Sequence, residues 1–524
     1  MSFLPCVLVA GTFVIYLVVC LYRLFFSSIT KFPGPRLAAC TFWVEFWYDV
    51  VRDGRFGWKI QEWHRRYGPI IRINPSEIHV SDPTFYHTLY VASSVRQTNK
   101  WSFSAQMFGT TSASVGTVDH KLHKLRRAAL NSYFAQKKSA ALEQKVRQFV
   151  DRLVERLGES RWTNNPVNLV DAFTALTADI IGEVVFGTSF GLLEKEKWEI
   201  GGGKERHMFM MQLSRNTHLM KQVPWIYGIM KKVPRRVLKL VHPLTKELFE
   251  LQDWIADKIH TAENRRPIAP NKMNWKDCGD GQEEGQDQER CLLDELIVSP
   301  HLPAPERSLQ RLAEECLTLL GAGTVTTAWT LSVTTYHILA NADVHSKLCA
   351  ELVSLPQAYS YHDLYRLPYL SAVIHEGLRL SHGTSHRLAR ISPSVSLNFQ
   401  DWEIPPGVPI SMTSMYNIHL NSTVFPFPYV FDPQRWLGTV EDVKERRKWL
   451  VPFSTGSRMC VGLPLAYLEL FLALGAMFRA GGEGKGKLIN LELFETKERD
   501  VQVERDWFNP APWEGSKGVR VLVR

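Results

Sequence analysis

The segment PFSTGSRMCVG, residues 452 to 462, holds one cysteine between a Gly-x-Arg and a glycine, directly ahead of the apolar run LPLAYLELFLALGAMF. A thiolate at a helix N-terminus is stabilised by the helix dipole and by backbone N–H groups without intrahelical partners. The pattern formed by Phe453, Gly456, Arg458, Cys460 and Gly462 adds glycines that permit a tight loop and a cation that suits an acidic group of a bound cofactor. Zinc requires three or four ligands with near neighbours, and Cys460 has none nearby in sequence. A buried inert cysteine would leave the other four residues unexplained. A second stretch, LLGAGTVTTAWT (319–330), puts two glycines and four threonines inside a helical period, at a cost of roughly a few kcal/mol in propensity. Small residues let a bulky flat partner approach the backbone, and a threonine hydroxyl can bond a carbonyl back along the helix or a water. Close packing of a neighbouring helix explains that segment equally well on its own. EGLR, Glu376 to Arg379, sets an acid and a base at i, i+3, which alone is an ordinary helix pair.

The elements that must hold these residues are mostly helical. Glu306 to Ala340 contains no proline and predicts a helix of ~50 Å, long enough to cross a whole domain. PIIRINPSEIHVS (69–81) alternates and carries prolines, predicting a short half-exposed β region, and the period after about residue 83 is chiefly helical. NRRPIAPNKMNWKDCGDGQEEGQDQER (264–290) reads as an exposed loop between helices. At the N-terminus, Met1 to Tyr22 carries no charged side chain, and Arg23, Lys31 and Arg36 follow it. That length just spans a ~30 Å hydrocarbon core, and a basic n-region and cleavage site of a signal peptide are missing. The basic flank predicts that the rest of the chain is cytosolic. Pro33 and Pro35 in KFPGPR stop the helix and predict a stiff hinge. The 524 residues are 45% hydrophobic, enough for a large core. A net charge of +9 is scattered among acids, which argues against nucleic acid as partner. Eight cysteines without framework spacing fit a reducing compartment.

In this order along the chain, the motifs resemble the signature of the cytochrome P-450 superfamily, whose members bind haem iron through one such cysteine. The resemblance runs from the anchor onward. It implies a mainly α fold with a minor β region: a triangular, helix-rich body with a long central helix over the haem and a cysteine-ligand loop. Its expected divisions are a transmembrane anchor at 1–26, a Pro-rich hinge at 27–40 and a single haem-binding catalytic domain at 41–524. It makes Cys460 the axial ligand of the iron of haem b, with Phe453, Gly456, Arg458 and Gly462 forming its loop. Ala322 and Gly323 would lie over the haem, and Thr326 would be the catalytic hydrogen-bonding residue on the oxygen side. Glu376 and Arg379 look like the family's ExxR pair, completed by Arg435 of FDPQRW. His123, Arg127, Arg390 and Arg458 would face the propionates, the bidentate chemistry that suits arginine. Two positions depart from the family pattern. His123 stands where tryptophan is usual, with a charge that would depend on pH, and Val325 replaces the acid that normally precedes the threonine.

The implied reaction is insertion of one oxygen atom of O2 into a C–H or C=C bond. Nothing in the chain looks like a flavin domain, so NADPH would supply electrons indirectly, through a separate P-450 reductase, with cytochrome b5 as a further donor. Lys444, Arg446, Arg447, Lys448 and Arg458 could offer such a partner a basic face. The implied location is the endoplasmic reticulum membrane, single-pass, with Asn421 of the sequon NST left unglycosylated. HKLRRAAL, GAGTVTTA and GSKGVRVLV are similar to fungal members that oxidise secondary metabolites. Aromatic and methionine-rich stretches, NKWSFSAQMFGTT, NTHLMKQVPWIYG and DWFNPAPWEG, are expected to wall a pocket for a bulky apolar metabolite such as a terpenoid, with polyketide or alkaloid scaffolds also fitting. Two other classes compete: a haem-thiolate isomerase or dehydratase working without a reductase, and a non-catalytic ligand-binding relative.

Overall fold

A computed structural model of the chain describes residues 3–134, 136–161, 165–195, 203–230, 232–241, 243–264, 290–479 and 490–524. Most of the loop expected at 264–290 lies outside the described residues. The first helix, α1 (Phe3–Phe25), turns Phe13, Ile15 and Phe25 outward. The chain after it packs against the body. Ile29 and Phe32 are buried, the Arg72 backbone N–H donates to the Pro33 carbonyl at 2.7 Å, and the Arg72 guanidinium donates to the carbonyls of Arg23, Ala39 and Pro75.

The body is built on α2 (His120–Phe134), α3 (Gln136–Ser160), α4 (Leu169–Phe186), α5 (Gly203–Gln222), α6 (Pro243–Asn264), α7 (Leu309–Ala340), α8 (Pro368–Ser381) and α9 (Leu463–Phe478). The 32 residues of α7 run through the centre, packed on α4, α6, α8 and α9. Its length and apolarity would suit a membrane span, but its residues are mostly buried within the fold. It starts at Leu309, three residues later than its unbroken period predicts. Ser308 is extended, and the Glu306 carboxylate is taken up by Arg126 and Arg311. Nearly every side chain of α4 is buried, as its almost uniformly apolar sequence requires.

A five-stranded sheet flanks the helices. Here β1 (Ile70–Arg72) pairs antiparallel with β2 (Ile78–Val80), β3 (Asn99–Lys100) lies at the far edge, and β4 (Arg390–Ile391) and β5 (Pro409–Ser411) lie between β2 and β3. The half-exposed strand pair expected at 69–81 is buried along its length instead. The polar members find partners: His79 joins His64 at 2.7 Å through one ring nitrogen and the Thr413 hydroxyl at 3.0 Å through the other. Two further strands, β6 (Arg505–Trp507) and β7 (Asn509–Ala511), form a hairpin beside α5, with Phe508 at its tip.

Candidate active site

The cysteine loop is built against the outer end of the sheet. Gly456 has φ +77°, and a Cβ there would stand 2.3 Å from the Val91 carbonyl oxygen, so only glycine closes this turn. The Ser457 N–H donates to that same carbonyl at 2.9 Å, and the Cys460 N–H donates to the Phe453 carbonyl at 2.9 Å. The backbone N–H groups of Gly462 and Leu463, at the entry to α9, point at the Cys460 sulfur. Burial raises the thiol pKa, and those N–H groups together with Arg127 oppose the rise. Cys460 is reachable by solvent although protein surrounds it, and so is Ala322, mid-way along the central helix. Exposure this deep in the fold means that each borders internal open space.

On α7, threonine hydroxyls bond back to carbonyls one turn earlier: Thr324 to Leu320 at 2.7 Å, Thr326 to Ala322 at 2.8 Å and Thr330 to Thr326 at 3.0 Å. These bonds offset part of the propensity cost. The glycines divide between the two explanations. A Cβ on Gly323 would meet Ile181 of α4 at 2.7 Å, which is close helix packing, whereas nothing lies within 4 Å of one on Gly321. Val325 is 4% exposed and belongs to the apolar core. Of the helix interior or cavity wall expected for it, it takes the interior.

Four cations converge on the cavity edge. The Arg458 guanidinium donates to the carbonyls of Thr117 and Val118 at 2.8 and 2.9 Å, and its buried Nε has no partner. Arg127 donates to Asn131 and to the Met459 carbonyl, at 2.7 and 2.6 Å. Arg390 donates to the Ala389 carbonyl at 3.1 Å. Lys100, opposite Arg390 in the sheet register, donates to the Val115 carbonyl at 2.7 Å. None of the four forms an ion pair among the described residues. Burial, then Arg390, pushes the Arg458 pKa down to about 9, and burial with Arg390 and Arg458 drives that of Lys100 well below its ordinary value. His123, buried among them, is pushed down to about 2 by burial and then by Arg458, Arg127, Arg390 and Lys100. The three arginines that lower its pKa are groups that the resemblance sets against the propionates.

Glu376 is fully buried and accepts from Arg379 at 2.7 and 2.9 Å, Arg435 at 2.9 Å, the Trp436 indole at 2.8 Å and the Asp432 N–H at 2.9 Å. Burial alone would raise its pKa, yet these donors hold it below the ordinary range. Arg379 also donates to the carbonyls of His419, Pro428 and Val430, tying α8 to the chain that leads into the cysteine loop.

The sequence reading singled out neither of two further residues. Lys100 lies in the NKWSFSAQMFGTT stretch expected to wall the pocket, and its register opposite Arg390 places it in the cation cluster. Glu469, 1% exposed on α9, accepts a hydrogen bond from Thr327, the neighbour of Thr326, and its other oxygen has no partner. Burial raises its pKa well above the ordinary value, against the Thr327 hydrogen bond. Its nine-residue offset from Cys460 was the available signal.

These residues fit haem. A solvent-reachable thiol has N–H groups aimed at it, and a cluster of buried cations without an ion pair among the described residues, one with an orphaned guanidinium nitrogen, matches a flat dianionic cofactor. A helix-rich body with a central helix above a cysteine loop defines the haem-thiolate class. The comparisons agree. The cytochrome P-450 family model matches residues 33–480, and the chain belongs to that family. It is 39% identical over 526 residues to a cytochrome P-450 monooxygenase of Ascocoryne sarcoides, covering 99% of this chain and 98% of that one. It is 38% identical to a tryptophan 6-hydroxylase of Fusarium equiseti, covering 96% and 93%, and 36% identical to an N-acetyltryptophan 6-hydroxylase of Emericella nidulans, covering 96% and 94%. The activity is that of a monooxygenase oxidoreductase.

Proposed function

We propose that the protein inserts one oxygen atom of O2 into a bulky apolar secondary metabolite, a terpenoid in the first instance, with electrons from NADPH delivered by a separate reductase. The observation that carries the proposal is Cys460, with backbone N–H groups aimed at its sulfur, beside a cluster of buried cations that form no ion pair among the described residues. Haem, when bound, supplies oxygen activation and electron acceptance. The chain's own residues do the rest. Arg127, Arg390, Arg458 and Lys100, with His123 as an N–H donor, would hold the propionates. Gly462 and Leu463 steady the charge on the sulfur. The Thr326 hydroxyl holds a proton at its oxygen on the cavity face of α7, where Val325 offers none. Phe108 and Phe508, in edge-to-face contact at 4.7 Å, support an apolar wall. The two relatives named for tryptophan and its N-acetyl form make an aromatic, alkaloid-like scaffold the second substrate class.

The outward apolar face of α1, continued by exposed Leu37, Trp43, Trp47 and Val51, supports an anchor in the endoplasmic reticulum membrane with the body cytosolic. For the reductase face, Lys444 and Arg447 stay exposed, whereas Arg446 is occupied with the Arg435 and Leu437 carbonyls and Lys448 with Glu445. Reconstitution with reductase, NADPH and isotopically labelled O2, followed by product mass analysis, tests the reading. One labelled oxygen per oxidation is expected. Turnover without NADPH would favour the isomerase reading, which Val325 keeps in play.

A further inference from the structure

The segment from His382 to Ala389 joins α8 to β4, and its two ends lie on the site. Gly383 lies so close to the cysteine loop that a Cβ on it would stand 2.3 Å from the Pro452 carbonyl oxygen, and Arg390 at the far end belongs to the cation cluster. Between them the segment is clamped to the β6–β7 hairpin. The Ser385 N–H donates to the Phe508 carbonyl at 3.1 Å and the Ser385 hydroxyl to Asp506 Oδ1 at 2.9 Å. The Phe508 N–H donates to the same Oδ1 at 2.9 Å, and His386 Nδ1 lies 2.8 Å from Asp506 Oδ2.

This arrangement fixes the tautomer of His386. Asp506 is held well below the ordinary carboxylate range, against the effect of burial, by His386 and by His218 and Ser385. It can only accept, so Nδ1 carries the proton and Nε2 of the neutral ring is a lone-pair acceptor. Burial pushes the His386 pKa down to about 4 despite Asp506, with Lys221 and Arg387 adding to the effect, so the ring stays neutral. Among the described residues the Nε2 has no hydrogen-bond partner, and it is not a sealed polar atom, so it opens onto accessible space. The rings beside it are His218, at 5.1 Å between centroids, and Phe508, at 6.2 Å, which in turn meets Phe108. His218 does not compete for it, because its own Nε2 donates to the Asp506 backbone carbonyl at 2.6 Å. These three groups, His218, His386 and Asp506, are close enough to suggest a metal site. The nitrogens nearest the carboxylate and carbonyl are already committed to hydrogen bonds, which argues against one.

We propose that His386 is a specificity-determining anchor whose Nε2 accepts a hydrogen bond from a hydroxyl or N–H group of the substrate, with Asp506 as the positioning residue that fixes its tautomer. The inference rests on the monooxygenase reading and refines it: an acceptor beside the Phe108–Phe508 wall favours a metabolite that bears a donor remote from the carbon being oxidised. Discrimination follows from the cost of leaving Nε2 unpaired once an apolar substrate has displaced water.

The test uses the holoprotein and three probes of one shape: 2-naphthol, 2-methoxynaphthalene and naphthalene, titrated by the haem absorbance shift. The wild type should bind 2-naphthol about fivefold or more tighter than the other two, the size of one net hydrogen bond. It should not distinguish the methoxy compound, which lacks a donor, from naphthalene. His386→Leu should equalise all three, and His386→Gln, which keeps an acceptor, should restore part of the preference. In Asp506→Asn the amide N–H donates to Nδ1, the ring proton moves to Nε2, and the methoxy probe should gain affinity over naphthalene, which simple loosening would not produce. Equal affinities in the wild type, failure of 2-naphthol to bind, or an undiminished preference in a folded His386→Leu protein would overturn the proposal. The carbon monoxide spectrum of each preparation separates the two readings: a wild type without a thiolate-haem band refutes the parent reading, whereas that band with no naphthol preference refutes the anchor alone.

Discussion

Thr326 is the one hydroxyl on the cavity side of α7 placed next to the position where the family normally carries an acid. Its bond to the Ala322 carbonyl leaves the oxygen free to accept, so it can relay a proton from water or from the substrate. Thr326→Ala should raise peroxide released per NADPH consumed and cut product by about tenfold or more, the scale of losing positioned proton transfer. Full coupling in that variant would mean that the substrate supplies the proton or that O2 is not activated. Reading only the motif, Val325→Asp looks harmless to haem binding, but the side chain lies in the apolar core, where a carboxylate would be unpaired. The substitution should cost about 3 kcal/mol or more, seen as a lower thermal midpoint with reduced haem content. The cysteine loop residues were legible because their types are dictated locally, as the Gly456 turn shows. Lys100 and Glu469 were not, because their significance comes from strand register and from a helix crossing that join residues far apart in sequence.

At the scale of elements, the ion cluster on α8 decides whether the cysteine loop is presented at all. Glu376→Gln removes one charge from a buried cluster and leaves Arg379 and Arg435 uncompensated, so a loss of about 3–5 kcal/mol is expected, with most of the protein recovered without haem. The folded Glu376 carboxyl has a lowered pKa, so its contribution is fully present above the ordinary glutamate value of ~4.3 and is lost as pH falls through the lower folded value. Acid unfolding followed by far-UV circular dichroism should therefore show a shallower acid limb in Glu376→Gln than in the wild type. An identical limb would mean the cluster is inert. Helices were the readable elements: α9 begins and ends at the residues of its apolar run, and α7 departs from expectation only where Glu306 is drawn into ion pairs. The strands were less readable, because alternation at 69–81 signals an open face. The segment from Ile29 to Cys40 and the helix at Phe56–Tyr67 cover that face in the folded chain.

At the scale of the molecule, α1 turns apolar side chains outward and the site lies in the chain that follows it. Protease added to intact microsomes should digest the body and spare α1. Protection of the body would place it in the lumen, and Asn421 should then carry a glycan. In the folded chain the Asn421 side chain is engaged, accepting from the Thr423 N–H and hydroxyl at 2.9 and 2.7 Å. The central claim is narrower than topology or substrate: Cys460 binds haem iron as a thiolate, with Arg127, Arg390, Arg458 and Lys100 holding the cofactor's acids. The measurement that meets it directly is the absorption spectrum of the reduced, carbon monoxide-bound protein. The wild type should show the strongly red-shifted Soret band of a thiolate-ligated haem, Cys460→Ala should abolish it, and charge-removing variants of Arg127 and Arg390 should keep its position while binding less haem. A wild-type band at the position typical of a histidine-ligated haem, in correctly folded protein, would contradict the account.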